Sequence, residues 1–258
     1  MRRDGRRILF EGITNCRDLG GIQNTQAQTI RAGLLLRSAH LRNATPQDVS
    51  DLKKYFSLSE ILDLRDTVEQ SELRDVEVPG AAHVDAAIFR SEQRGITHEK
   101  NLPPYEIYPP MREVYIKFVA EEPVCNNLAG AVRRVLTHDY ESGAILWHCF
   151  GGKDRCGMVA ALTLSVLGVS YETIMDDYMM TNIEAKSRAE EAYKKVLERG
   201  GPQKEADFEY DANIADENYL NGAFDEMFKR YGNAEAFLKE KGGVTDEELG
   251  AFRERMLE

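Results

Sequence analysis

The chain has 258 residues, 42% hydrophobic, 30% charged and 9% aromatic, which excludes the disordered, collagenous and coiled-coil classes. Lys plus Arg number 33 against 44 Asp plus Glu, and the formal net charge of -11 argues against a nucleic-acid partner. The longest apolar stretch, 158–169, is interrupted by Thr163 and Ser165 and is shorter than the roughly 20 residues that span a bilayer. After the basic start MRRDGRR only Ile8, Leu9 and Phe10 precede Glu11, too short a core for a signal peptide. The expectation is a cytoplasmic protein folding as a single domain over 1–258, with signal-peptide-independent export left open and the oligomeric state unread.

Cys16, Cys125, Cys149 and Cys156 form no Cys-x-x-Cys pair, so neither a disulfide framework nor a zinc ribbon is expected. In chain order, the apolar runs Leu34–Leu36 and Ile61–Leu64 suit short buried strands. Between them Thr45 and Pro46 open a helix whose Val49, Leu52 and Phe56 share one face. His83–Ala87 is a weaker strand. Four prolines at 103, 104, 109 and 110 make 101–110 a restricted loop. Met111, Val114, Tyr115 and Phe118, then Val124, Leu128, Val132 and Leu136, repeat at helical spacing and predict two amphipathic helices divided at Pro123. Ala144–Trp147 is the next strand. Cys156–Leu167 is apolar on nearly all sides, as a core helix is, and Gly168 can cap it in the left-handed region.

Beyond Ser170, itself a cap, the pattern is helical throughout, giving a helical extension over about 170–258. A long charged helix covers about Ile183–Arg199 and breaks at Gly200-Gly201-Pro202. The acidic stretch from Glu205 to Glu217 reads as solvated surface, with a mobile cover over a site as the alternative. Tyr219, Leu220, Phe224, Met227 and Phe228 form another apolar face ended by Gly232, and Thr245 with Glu248 makes a capping box for the last helix.

Residues 148–157 read HCFGGKDRCG and lie between the strand ending at Trp147 and the core helix. A strand-to-helix turn with glycines at 151 and 152 can aim successive backbone N–H groups at one anion, to which the helix N-terminus adds its positive dipole end. The same donors favour a thiolate at Cys149. Arg155, six residues on, offers a planar fork that grips two phosphoryl oxygens.

This segment resembles the signature loop of protein tyrosine phosphatases, and more closely that of a bacterial tyrosine phosphatase family with an HCxxGKDRTG loop. TNCRDLGG at 14–21, LLLRSAHL at 34–41, ILDLRD at 61–66 and DDYMMTN at 176–182 resemble further elements of that family. The resemblance implies an α/β protein of the protein tyrosine phosphatase fold, a central, mostly parallel sheet flanked by helices. It also implies hydrolysis of phosphate monoesters through a phosphocysteine, with no cofactor and no metal. The substrates implied are phosphotyrosine in a protein or peptide, with phosphoserine, phosphothreonine and phosphoinositide lipid also open. A phosphate-binding module with little turnover is the alternative.

Carried over residue by residue, Cys149 is the nucleophile, Arg155 binds phosphate, and the backbone of Phe150, Gly151, Gly152, Lys153, Asp154 and Arg155 lines the nest. Asp154 is the first candidate for general acid and base, and Asp85, after a predicted strand, is the second. Lys153 is expected to add positive potential at the pocket mouth, or to be a solvated loop lysine. His148 is expected to hydrogen-bond the loop backbone, and Arg17, Asp18 and Asp63 to be scaffold that holds the loop. Cys156 departs from the family's Thr or Ser, and a thiol donates more weakly to the departing thiolate than a hydroxyl does.

Overall fold

The computed structural model describes residues 1–90 and 103–258. Its first half contains the strands β1 (Arg2–Asp4), β2 (Arg7–Leu9), β3 (Arg17–Asp18) and β4 (Leu35–Ser38), helix α1 (Pro46–Phe56), strand β5 (Glu60–Asp63), helix α2 (Thr67–Glu72) and strand β6 (Ala82–Asp85). Helices α3 (Pro104–Ile107), α4 (Met111–Ala120) and α5 (Val124–Leu136) lead to strand β7 (Ile145–His148) and helix α6 (Asp154–Val166). Six helices complete the chain: α7 (Tyr171–Met179), α8 (Asn182–Glu198), α9 (Gln203–Asn213), α10 (Glu217–Tyr231), α11 (Ala234–Gly242) and α12 (Asp246–Met256).

The strands form one sheet in the order β1-β2-β3-β4-β7-β5-β6. The four-residue strands β4, β7, β5 and β6 run parallel, and the short N-terminal strands add antiparallel pairs at one edge. Side chains alternate across a strand, so each long strand feeds two cores. Leu35, Leu62 and Trp147 point into the larger one, with α5, α6 and α10–α12, while Leu36, Ile61 and Leu146 pack with Leu52 and Phe56 of α1. Every residue of β4, β5 and β7 is buried, as expected when both faces of a parallel sheet are covered.

Register decides where chemistry can sit. Ser38 and Asp63 both pair with His148, so β4 and β5 end level with the central strand β7. The segment that follows His148 therefore emerges in the crevice at the carboxyl ends of the parallel strands, where open α/β sheets bind ligands.

The helices follow their local signals. Thr45 and Asp48 close a capping box on α1, Thr245 and Glu248 another on α12, and Ser170 caps α7. Helix α6 is buried on nearly all sides, and Gly168, at φ +74°, follows it in the left-handed region. One reading needs correction. The proline-rich stretch contains the one-turn helix α3, with residues 101 and 102 lying outside the described residues. The acidic stretch from Glu205 carries helix α9, which packs along α8.

One ionic cluster joins the N-terminal strands to the helical half. Asp177 of α7, 1% exposed, lies 2.6 Å from Arg6 Nη1, 2.9 Å from Arg37 Nη1 and 3.2 Å from Arg17 Nε. Burial alone would push its carboxyl up; Arg17, Arg37 and Arg6 outweigh that and hold it far below the usual range. Removing one member of such a cluster strands the others without counter-charge. Asp177→Ala is expected to destabilise the protein by about 3–5 kcal/mol, measured as a lower urea midpoint.

Candidate active site

The turn after β7 is shaped by what grips its carbonyls. His40 N–H donates to Phe150 O at 3.3 Å, Asn15 Nδ2 to Gly151 O at 3.0 Å, and Arg37 Nη2 to Gly152 O at 2.9 Å and Lys153 O at 3.3 Å. The C=O and N–H of one peptide unit point opposite ways, so four outward carbonyls turn the succeeding N–H groups toward the hollow of the loop. Gly152 is required there: its φ is +67°, and a Cβ would come within 2.6 Å of the Ser38 backbone. Gly151 has open space around its Cα, so the curvature rests on one glycine rather than two.

Cys149 lies at the base, 2% exposed. Burial pushes its thiol up, but a hydrogen bond from the Cys156 thiol, the Arg155 guanidinium and the Cys156 backbone N–H outweigh that and bring it down to about 6. Cys156 shows the reverse. Burial, then donation to Cys149, pushes its own thiol well above the usual value, so it stays protonated as the donor. Its Sγ also lies 3.6 Å from Ser38 O and 3.8 Å from Trp147 O.

Arg155 favours this thiolate by its charge and is held by α2. Its Nη1 and Nη2 meet the two Glu69 oxygens at 2.5 and 3.0 Å. Glu69 is in place because the same side chain closes the Asp66 capping box at the start of α2. The pairing occupies the terminal edge of the guanidinium, leaving the Nε edge for an anion.

Asp154, at the first turn of α6, accepts from the Tyr115 hydroxyl at 2.7 Å and lies 3.4 Å from Lys153 Nζ. A groove of about 350 Å³ opens on Asp154, Arg155 and Glu69, and its other walls are largely apolar, with Phe89, Met111, Val114 and Phe118 among them. A larger hollow of about 510 Å³ lies against α8 and α9, lined by Tyr193, Lys194, Tyr210 and acidic neighbours; it shares no residue with this groove, and no cysteine lines it.

Several expected positions are corrected. Lys153 is neither at the mouth nor solvated: it is 4% exposed, and its ammonium donates to the carbonyls of Asp211, Ala212 and Ile214 at 3.4, 2.9 and 2.9 Å. Asp85 is the exposed last residue of β6, bonded to Gln70 Nε2 and Ala87 N–H, and does not line the groove. Asp18 accepts from the Gly20 and Gly33 amides, and so secures the β3–β4 connection rather than the loop. Asp63 binds Arg65. His148 faces acids: Nε2 is 3.2 Å from Asp75 and Nδ1 3.9 Å from Asp63, with the Cys149 backbone a lesser influence. Arg17 does act on the loop, through Asn15.

Sequence reasoning missed Asn15, Arg37, Glu69, Tyr115 and Asp177 as parts of the site. The signal for Glu69 was the Asp-x-x-Glu spacing after ILDL; Arg37 and Asp177 lay inside quoted motifs without a role. Among the described residues, Asp63, Asp75 and His148 approach closely enough to share a metal ion. Arg65 already sits against both carboxylates, at 2.6 and 2.5 Å, and supplies the positive charge an ion would bring.

The turn after β7 thus gathers a buried cysteine with a lowered thiol, an arginine held at the start of α6 and a groove that opens beside them. The model of the tyrosine phosphatase family matches residues 8–258, and the chain belongs to that family. Curated relatives include a protein of Cupriavidus necator named as a tyrosine-protein phosphatase, 28% identical over 68% of this chain and 63% of its own length. The triple specificity protein phosphatase PtpB of Mycobacterium tuberculosis is 26% identical over 66% of this chain and 67% of its own length. A tyrosine-protein phosphatase of Nostoc commune is 27% identical over 45% of this chain and 40% of its own length. The chain thus spans less than two thirds of the first of these relatives.

The thiolate predicts a pH dependence. Because Cys149 is lowered to about 6, its alkylation by iodoacetamide should rise through a midpoint near pH 6 and level off above it. Cys156→Ala, which removes the thiol donor, should move that midpoint upward by about one pH unit.

Proposed function

We propose that this protein is a cytoplasmic, cysteine-dependent phosphatase that hydrolyses phosphate monoesters, phosphotyrosine first among them, through a phosphocysteine on Cys149. The observation that carries the reading is the turn after β7, where His40, Asn15 and Arg37 hold four carbonyls outward beside the buried Cys149, with Arg155 following at the start of α6. Among the described residues, no helix is long and apolar enough to cross a membrane.

The phosphate dianion enters the nest, where inward N–H groups and the Nε edge of Arg155 take its equatorial oxygens. The thiolate attacks phosphorus in line; the S–P bond forms as the ester P–O bond breaks, and Asp154 gives its proton to the leaving oxygen. The resulting Asp154 carboxylate then takes a proton from water, whose oxygen attacks phosphorus. Cys149 departs as a thiolate and again accepts a hydrogen bond from Cys156. Every proton and bond is returned, and no redox partner is needed.

The groove leaves substrate choice broad. Its apolar wall suits an aryl leaving group, and the triple specificity in the name of the Mycobacterium tuberculosis relative supports a choice wider than phosphotyrosine, with phosphoserine, phosphothreonine and phosphoinositide open. Lys153, engaged by three carbonyls, does not contribute a free cation to any second phosphate.

Hydrolysis of p-nitrophenyl phosphate with reductant and EDTA present is expected for the wild type, and Cys149→Ser should lower it at least about a thousandfold. Full activity in that variant points to another nucleophile. An inactive wild type that still binds phosphopeptide favours the binding-module alternative.

A further inference from the structure

The two oxygens of Asp154 are not equivalent. Oδ1 accepts the Tyr115 hydroxyl at 2.7 Å and faces Lys153 Nζ at 3.4 Å, whereas Oδ2 has no hydrogen-bond partner among the described residues. Tyr115 comes from α4, the helix that also contributes Met111, Val114 and Phe118 to the groove wall. Its ring is fully buried, with Phe118 at 5.5 Å, Tyr219 at 5.7 Å and Tyr178 at 6.1 Å between centroids.

A phenol has one proton to donate. With that proton on Asp154, the Tyr178 hydroxyl, 2.8 Å from Tyr115 oxygen, must be the donor of its pair. The result is a directed chain from Tyr178 to Tyr115 to Oδ1. Burial first, and then the Asp154 charge, pushes both phenols well above their usual acidity range, so the chain keeps its protons at any working pH.

We propose that Tyr115 is the positioning residue of the general acid: by holding Oδ1 as an acceptor in both protonation states, it reserves Oδ2 for the proton delivered to the leaving oxygen. The inference rests on Asp154 as the acid. Tyr115 touches no reacting atom; it fixes the rotamer of the group that does, and the hydroxyl is the part that matters because the ring packing is retained in phenylalanine.

The test compares phenyl phosphate, whose leaving group needs protonation, with p-nitrophenyl phosphate, whose leaving group departs readily as an anion. Tyr115→Phe should lower kcat on phenyl phosphate about tenfold and on p-nitrophenyl phosphate less than about twofold, with KM unchanged. In the Asp154→Asn background the same substitution should cause no additional loss. An equal loss on both esters, no loss on either, or an additive loss in that background overturns the role of Tyr115. Asp154→Asn is made first: if it lowers turnover equally on both esters, the acid assignment fails and takes this inference with it. That failure is distinct from one in which Asp154→Asn behaves as an acid variant and Tyr115→Phe is silent. Should Tyr115→Phe not fold, proton NMR of the unaltered protein should show a slowly exchanging Tyr115 hydroxyl that shifts on Asp154→Asn, and an unshifted or absent resonance overturns the contact.

Discussion

The whole site hangs on the buried carboxylate of Asp177. By drawing Arg37 and Arg17 together, it sets where their other nitrogens point, and those nitrogens reach the turn after β7, Arg37 directly and Arg17 through Asn15. Without that anchor, three arginines would repel one another in a low-dielectric interior and the loop carbonyls would lose their donors. Arg17 already feels this: burial and its neighbour Arg37 lower its guanidinium to about 10, although Asp177 pulls the other way. A charge on a helix well outside the loop thus decides which way the loop's amides face.

Around the thiolate, charge is arranged in opposition. Arg155 and Cys156 favour the anion at Cys149, while burial and Asp154 oppose it. Glu69 compensates Arg155 before any anion arrives, so the guanidinium is neither uncompensated nor free to swing, and it presents one edge only. Cys156 fits this economy of donors. A thiol reaches farther than a hydroxyl would, and its hydrogen bond is weaker, but with its own ionisation pushed up by burial it remains a donor beside a neighbouring thiolate.

Much of the scaffold could be read along the chain because it depends on local rules. Pro46 after Thr45, the short apolar runs of the parallel strands and the all-round apolar α6 place elements within a residue or two of where they fold. HCFGGKDRCG was legible for the same reason, since its cysteine, glycines and arginine lie within ten residues. The short N-terminal strands were not, because Arg2–Asp4 and Arg7–Leu9 show no apolar alternation and exist by pairing at an edge. Nor were the partners of the loop: Glu69 lies 86 residues from Arg155 and Tyr115 39 from Asp154. Asp18 and Asp63 misled because a carboxylate inside a family motif gives no sign of which distant amide or guanidinium it will meet.

Lys153 binds the start of α6 to the carbonyls that close α9, and the shape of its head group sets what that position tolerates. Three N–H bonds diverge tetrahedrally from one ammonium nitrogen, and three carbonyls converge on it from a single turn of chain. A guanidinium spreads its donors in a plane and has no single point on which such oxygens can converge. At this position an arginine would keep the charge and lose the fit, so what is selected is the number and direction of hydrogens on one atom.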